Sequence, residues 1–454
     1  MSDLLRQPAA EVRALQDRLL RRTVELCHRG HPFYRRLMRQ HGLRPEHIQS
    51  CDDLTRLPPT TKQDFLADPE AFRLQLDDLP LDQRTLWKVI YTTGAASGAP
   101  APIYVTSYDH FGYLDLVAQR KELLDLRDTD VVANLFPLTL GPMGAYSRAV
   151  DEAAACGAAV VLAHPGRPAP PFQVHRGLDD VVRLIERQRA TVLYGIASFV
   201  QRVLAQAQQM AADFSQVRLA MITGEPASAL LREDIRARMH ALGCREQRLL
   251  NRYGSTEQGV SMVECAEGSG FHSIGPDHVF HEVVHPDTSE RLADGQQGML
   301  ALSHLTRRGT VFLRYLVGDV VSMSHAPCPR CGRTSPRVTS SPVRSGELVK
   351  VRGTLVNLRA VRDQVQRQPA VRECQILVRP SDPTDALSSD ELAIRLVVAP
   401  GDEAPVQGAV TAAVERVAHL KPRVEFVAAG DIFDTSEAIK PAWVRDLRPG
   451  ESQG

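Results

Sequence analysis

The chain lacks a surplus of either charge: 54 Lys and Arg stand against 54 Asp and Glu, a formal net charge of zero. That balance removes the bulk attraction that draws proteins to nucleic acid or to anionic membrane, so neither is expected as a partner. Aromatic residues are few at 5%, and no apolar run approaches the roughly 20 residues needed to span a bilayer. The opening Met1-Ser2-Asp3-Leu4-Leu5-Arg6 has no apolar stretch ending in a small-residue cleavage site, which leads to the expectation of a cytoplasmic protein. Eight cysteines are scattered over 454 residues and only Cys328 and Cys331 lie close together, so a disulfide framework of the secreted type is not expected.

What is present is more chain than one ordinary core absorbs, which points to a subdivided body with an appended domain. Residues 9 to 50 carry Val12, Leu15, Leu19, Leu20, Val24 and Leu26 at helical spacing among Arg and Gln, an amphipathic pattern. From residue 86 short apolar runs alternate with helical segments: Leu86 to Tyr91, Val131 to Phe136, Ala158 to Ala163, Thr191 to Ile196 and Leu219 to Thr223. Runs of this kind predict buried parallel strands of an α/β fold. Gly298 to Leu305, Thr310 to Leu316 and Val320 to Met323 predict a smaller β-rich part. After Pro342, strand signals at Cys374 to Val378 and Glu391 to Val398 alternate with helix, and Pro380 to Ser389 and Ala399 to Pro405 read as loops. The expected architecture is α/β: a large N-terminal body, residues 1–343, with parallel-sheet and β-rich subdomains, and a small mobile α+β domain, residues 344–454.

Three segments carry chemistry. Tyr91-Thr92-Thr93-Gly94-Ala95-Ala96-Ser97-Gly98-Ala99-Pro100 follows a strand and is rich in Gly and hydroxyls, able to bring N–H groups to phosphate oxygens; alone it reads equally as a plain turn. Asn251-Arg252-Tyr253-Gly254-Ser255-Thr256-Glu257 joins an aromatic plane, a close-approach glycine, two hydroxyls and a carboxylate, groups that suit a nucleobase, a phosphate and Mg²⁺. Singly, Tyr253 reads as core and Glu257 as a helix-start carboxylate. Arg314-Tyr315-Leu316-Val317-Gly318-Asp319 ends a strand in a carboxylate able to accept from two ribose hydroxyls, although Gly-Asp alone is more often a turn.

In this order, the segments resemble the motifs of the adenylate-forming superfamily of acyl-CoA synthetases, adenylation domains and luciferases, most closely its phenylacetate-CoA ligase branch. Leu57-Pro58-Pro59-Thr60-Thr61-Lys62 is similar to that branch's early signature, Thr92, Thr93, Ser97 and Gly98 to the phosphate loop, and Thr223-Gly224-Glu225-Pro226 to the adenine-contacting Gly-Glu-Pro. Tyr253, Gly254, Ser255, Thr256 and Glu257 match Tyr-Gly-x-x-Glu, Arg344 the hinge arginine, and Lys440 the catalytic lysine of the C-terminal domain. The resemblance implies ATP, Mg²⁺ and coenzyme A as cofactors. Lys440 would stabilise the attacking carboxylate, Glu257 would hold Mg²⁺, and Asp319 and Arg344 would fix the ribose. The C-terminal domain would then turn about its hinge for thiol transfer.

The sequence departs from the pattern in three places. Ala95, Ala96 and Ala99 stand where relatives carry hydroxyls or a Lys, Gly346 where they usually carry Asp, and Ala438-Ile439-Lys440 where they carry Gly-Lys. The alanines favour an alternative, an acyltransferase that loads an acyl carrier protein from an aryl-CoA. The retained Glu257, Asp319, Arg344 and Lys440 favour the ligase over that alternative and over a non-catalytic binder of adenylates or CoA thioesters.

Cys328-Pro329-Arg330-Cys331-Gly332 has the spacing of a zinc knuckle but supplies two ligands only. The resemblance implies that Cys265 and His272 complete a structural Cys₃His set; His325 is a rival ligand, and a coincidental turn beside a core cysteine is the plain alternative. The acid pocket is expected from Phe136, Gly141, Tyr146, Tyr194 and Ala197, where small residues and aromatic walls suit a flat ring; either tyrosine reads equally as core. The Arg- and Ala-rich composition fits a bacterium of high coding GC content. Relatives in the branch that prime secondary-metabolite biosynthesis with such acids make anthranilate or a benzoate the expected substrate, and a homodimer is a further expectation from the resemblance.

Overall fold

The apolar runs become strands because each is short, β-branched-rich and followed by a helix that covers it. A computed structural model describes residues 3–92, 100–137, 144–166, 174–225, 227–345, 348–351, 354–382, 390–432 and 442–448. Two compact units divide the described residues, with the break between Pro342 and Val343.

The first unit opens with helices Ala9–Gly30 and Pro32–Gln40. Its strands are β1 (Leu86–Tyr91), β2 (Pro102–Thr106), β3 (Val131–Asn134), β4 (Ala159–Leu162), β5 (Val192–Ile196), β6 (Leu219–Thr223) and β7 (Arg248–Tyr253), then β8 (Met262–Glu264), β9 (Phe271–Ser273), β10 (Val279–Val284), β11 (Gln297–His304), β12 (Tyr315–Ser324) and β13 (Arg337–Val338). One continuous sheet runs β10-β11-β12-β13-β9-β8-β7-β6-β5-β3-β4. The strands from β4 to β7 in this order are parallel. From β7 onward the pairing turns antiparallel. Helices Gly144–Cys156, Leu178–Arg187, Ala197–Gln209 and Ala229–Ala241 make the crossovers. Val182, Ile185, Val203, Leu204, Ile235 and Met239 from these helices share a core with Leu193, Ala220 and Ile222 from the strands.

Several expectations need correction. Leu86 to Tyr91 is no parallel-sheet member: β1 pairs antiparallel with β2, because the connection between them is too short for a crossover. The stretch Thr310 to Leu316 does not form its own strand; β12 begins at Tyr315 and runs unbroken to Ser324. The loop expected over Ala399 to Pro405 ends early, since helix Glu403–Ala418 has already begun. Strand β7 is an addition, hidden by its polar Arg248, Asn251 and Arg252.

The second unit is α+β. Its sheet orders Arg423–Phe426, Asp390–Val398, Val371–Pro380 and Val444–Asp446, antiparallel at the centre and parallel at both flanks. Val361 and Val365 of helix Leu358–Gln366, and Val410 and Val414 of helix Glu403–Ala418, share its core with Ile376, Val378, Ile394 and Leu396.

Candidate active site and metal centre

The parallel strands deliver three of the expected segments to one edge. β5 ends at Ile196, β6 runs into Thr223-Gly224-Glu225, and β7 into Tyr253 to Glu257, so all lie at carboxyl ends of neighbouring strands, where open α/β sheets bind ligands. Gly224 has φ +85°, a left-handed turn that a side chain would resist. The turn lets the Glu225 carboxylate accept from the Ser198 N–H in the first turn of helix Ala197–Gln209. The Thr223 hydroxyl donates to the Arg252 carbonyl at 3.1 Å, tying β6 to β7.

Asp319 reaches the same edge through a bulge. Met299 pairs with Val320 but Ala301 with Leu316, so β12 carries extra residues over 317–319, and Gly318 at φ +85° makes the kink. Asp319, 4% exposed, then accepts a 2.6 Å hydrogen bond from the Tyr253 hydroxyl. Tyr253 is half-buried and leans on Phe271, with ring centroids 5.8 Å apart. The Leu57 to Lys62 signature supports this strand. Leu316 N–H donates to the Thr60 carbonyl at 2.9 Å, the Thr60 hydroxyl to the Leu313 carbonyl at 3.0 Å, and Thr61 caps helix Lys62–Ala67.

Behind β7 lies a charged network that sequence reasoning missed. Arg252 and Glu152, 1% and 0% exposed at their side chains, form a two-pronged ion pair. Arg252 also donates to the Tyr194 and Ser261 hydroxyls, and the Tyr113 hydroxyl donates to Glu152. Burial alone would raise the Glu152 carboxyl; Arg252 outweighs it and holds the group below its ordinary value. Burial pushes the Tyr194 phenol up, well out of its ordinary range. The sequence shows only Arg252 itself, set between Asn251 and Tyr253, with nothing to mark its partners.

The pocket residues separate into two kinds. Phe136, Tyr194 and Ala197 are buried: Phe136 and Tyr194 pack edge-to-face at 5.2 Å, the Tyr194 hydroxyl is committed to Arg252, and Ala197 opens its helix. Tyr146 is half-buried, its hydroxyl 2.7 Å from His164 Nε2. Thr92 closes the base of its loop, its hydroxyl accepting from Ala101 N–H at 3.0 Å. The Ser255 hydroxyl accepts from Gln258 N–H, and Thr256 lies beside Gly144 at the start of helix Gly144–Cys156. Gly254 sits against Ser261. Arg344 is exposed in the second unit. Thr93, Ser97, Gly98, Gly141, Pro226 and Lys440 lie outside the described residues.

Cys265, His272, Cys328 and Cys331 converge, with all four ligand atoms within 4.8 Å of one another. The β8–β9 hairpin presents Cys265 and His272, and the β12–β13 connection presents the Cys pair, because β9 also pairs with β13. Cys265 and Cys328 sulfurs are 3.9 Å apart, and Cys331 Sγ is 3.6 Å from His272 Nε2. A tetrahedral zinc with thiolate arms of about 2.3 Å spaces two sulfurs by roughly 3.8 Å and a sulfur and imidazole nitrogen by roughly 3.5 Å, so the donor set fits that ion. His272 Nδ1 is 3.2 Å from the Ser335 hydroxyl, which leaves Nε2 facing the thiols. His325 is not a member: it pairs with Asp294 at 2.7 Å. The chain's first residues brace the knuckle. Arg6 donates to the Cys331 carbonyl at 2.9 Å, and Thr334 N–H to the Leu5 carbonyl at 2.7 Å.

A parallel sheet that gathers these segments at its carboxyl edge, continues into antiparallel strands and is followed by a separate α+β unit is the architecture of an adenylate-forming enzyme. The chain belongs to the AMP-binding enzyme family, which matches residues 39–316, and within it to the phenylacetate-CoA-ligase-like branch. It is similar to a phenylacetate-coenzyme A ligase of Thermus thermophilus, 28% identical over 77% of this chain and 74% of the relative. The Escherichia coli phenylacetate-coenzyme A ligase is 26% identical over 76% and 74%. Among solved structures, 2-hydroxyisobutyryl-CoA ligase in the postadenylation state with 2-HIB-AMP superposes with a TM-score of 0.79 at 21% identity, covering 98% of this chain and 91% of that one. Among the described residues, no helix is long and apolar enough to cross a membrane.

Proposed function

We propose that this AMP-forming acid–thiol ligase activates a small aromatic carboxylic acid as its acyl-AMP and transfers the acyl group to coenzyme A. The observation that carries the reading is the Tyr253–Asp319 hydrogen bond at the carboxyl edge of the parallel strands, with Glu257 four residues beyond the tyrosine. A ring plane beside a carboxylate suits a nucleoside: Tyr253 would lie against the adenine, and the Asp319 carboxylate would accept from ribose hydroxyls. Glu257 would hold Mg²⁺, which neutralises phosphate charge as pyrophosphate leaves. The second unit, from Val343 onward and carrying Arg344 and Lys440, would supply the lysine to the adenylation step. The relatives' names support an aryl acid and coenzyme A, and within that class an anthranilate- or benzoate-like acid fits the small residues near Tyr146.

We further assign zinc to Cys265, His272, Cys328 and Cys331. Four protein donors leave no open position, so the ion would hold the β8–β9 and β12–β13 connections together and take no part in the reaction.

ATP–pyrophosphate exchange with Mg²⁺ across anthranilate, benzoate, phenylacetate and hydroxybenzoates tests the assignment. Exchange dependent on one of these acids, followed by its CoA thioester when CoA is added, is the expected result. No exchange with any acid, together with acyl transfer from an aryl-CoA to a carrier protein, would replace the ligase with the transferase.

A further inference from the structure

The loop that carries Glu257 is gripped from beneath by two histidines. His304, the last residue of β11, and His281, within β10, share one face of the antiparallel pair, since Val279 faces His304 and His281 faces Leu302. His304 is 0% exposed and both its ring nitrogens are used. Nδ1 accepts from Phe312 N–H at 3.1 Å, which leaves the proton on Nε2 to be donated to the Glu257 carbonyl at 3.0 Å. The next side chain, Gln258, is also buried, with its amide nitrogen 3.0 Å from His281 Nε2. The Glu257–Gln258 peptide is therefore held at its carbonyl and at the side chain that follows, while the Glu257 side chain itself stays half-exposed. Beyond it, the Gly259 carbonyl accepts from Arg148 at 3.2 Å.

We infer that His304, with His281 beside it, is a positioning residue for the Glu257 carboxylate, fixing the backbone from which that carboxylate reaches a divalent cation. The inference rests on the magnesium role proposed for Glu257. A short loop of glycine and hydroxyl residues pays conformational entropy each time it must present one carboxylate in one place, and a neutral imidazole bonded on both sides removes that freedom beforehand. Histidine suits the position because its two nitrogens stand at opposite edges of one rigid ring, so one accepts from β-sheet backbone while the other donates to the loop.

The two amide replacements of His304 separate positioning from packing. His304→Asn keeps an acceptor near the Nδ1 position for Phe312 but cannot reach Glu257; His304→Gln keeps a donor near the Nε2 position. Initial rates of ATP–pyrophosphate exchange are measured against Mg²⁺ concentration, and amide hydrogen exchange is followed across residues 254–261. His304→Asn should raise the apparent KM for Mg²⁺ roughly tenfold, the order of one lost hydrogen bond, and speed exchange across the loop, while His304→Gln stays within about threefold of the parent. Equal losses of thermal stability in both variants with unchanged KM for Mg²⁺ would overturn the inference. Glu257→Gln is the control: if it leaves Mg²⁺ dependence unaltered, the magnesium reading fails and takes the catalytic half of the inference with it. The loop-exchange difference between the two His304 variants still decides whether the latch exists.

Discussion

The Tyr253 hydroxyl donates to the Asp319 carboxylate across the junction where the parallel sheet gives way to the antiparallel one. Neither residue is held there by its neighbours in sequence: one ends β7, the other stands on a bulge of β12. Removing the hydroxyl should leave Asp319 with more freedom and the nucleotide less well seated. Tyr253→Phe is expected to raise the KM for ATP by about two- to tenfold with little change in kcat, read by pyrophosphate exchange; an unchanged KM would detach this pair from nucleotide binding.

Lys440→Ala separates the half-reactions. Acyl-AMP formation should fall by orders of magnitude, while thioester formation from supplied acyl-AMP and CoA proceeds near the parental rate. Normal adenylation by this variant would move the catalytic charge to another residue.

The Arg252–Glu152 pair bears on stability more than on binding. Arg252→Met strands a buried carboxylate and should cost about 3–5 kcal/mol, measured by urea unfolding. The double variant Arg252→Met, Glu152→Leu should recover much of that loss. A single-variant cost within 1 kcal/mol of the parent, on the scale of an exposed pair, would show that water reaches the network.

Zinc content is directly measurable. Metal analysis of purified protein should give one zinc per chain, and strong chelation should lower the melting temperature before it lowers activity. Cys328→Ser should bind less than one equivalent. Metal-free protein with parental melting behaviour would reduce the cluster to ordinary thiols.

Acid should weaken the fold through His31. This ring is fully buried, accepting from Tyr34 N–H and bonded through Nε2 to the Val311 carbonyl at 3.1 Å. Burial depresses its pKa from 6.5 to about 4, beyond what the hydrogen bonds to backbone carbonyls restore. The unfolded chain therefore binds the proton first, so the contribution is complete above pH 6.5 and is lost as pH falls toward 4, about 3 kcal/mol in all. His31→Asn should flatten the fall in urea midpoint over that window; an equally steep fall would assign it to other groups.

Leu219 to Thr223 and Val192 to Ile196 were legible because burial on both faces leaves an uninterrupted apolar run. β7 was not, since Arg252 satisfies its charge on Glu152 a hundred residues away, and no local pattern records a partner at that distance. The same limit hid His304, whose value lies in touching Glu257. The Cys328–Cys331 knuckle was visible from spacing, but its union with Cys265 and His272 depends on β9 pairing with both β8 and β13. Tyr194 stood open in the sequence between pocket wall and core tyrosine, and the partner of its hydroxyl, Arg252, is again one that no local pattern records.

Leu5 and Arg6 are made before their partners Thr334 and Cys331, which follow 329 and 325 positions later. During synthesis this segment cannot close on the knuckle until residues 331–334 have emerged. A bulky insertion beside Leu5 would therefore disturb the contact that braces the cysteine knuckle, although it lies more than three hundred positions away in the sequence.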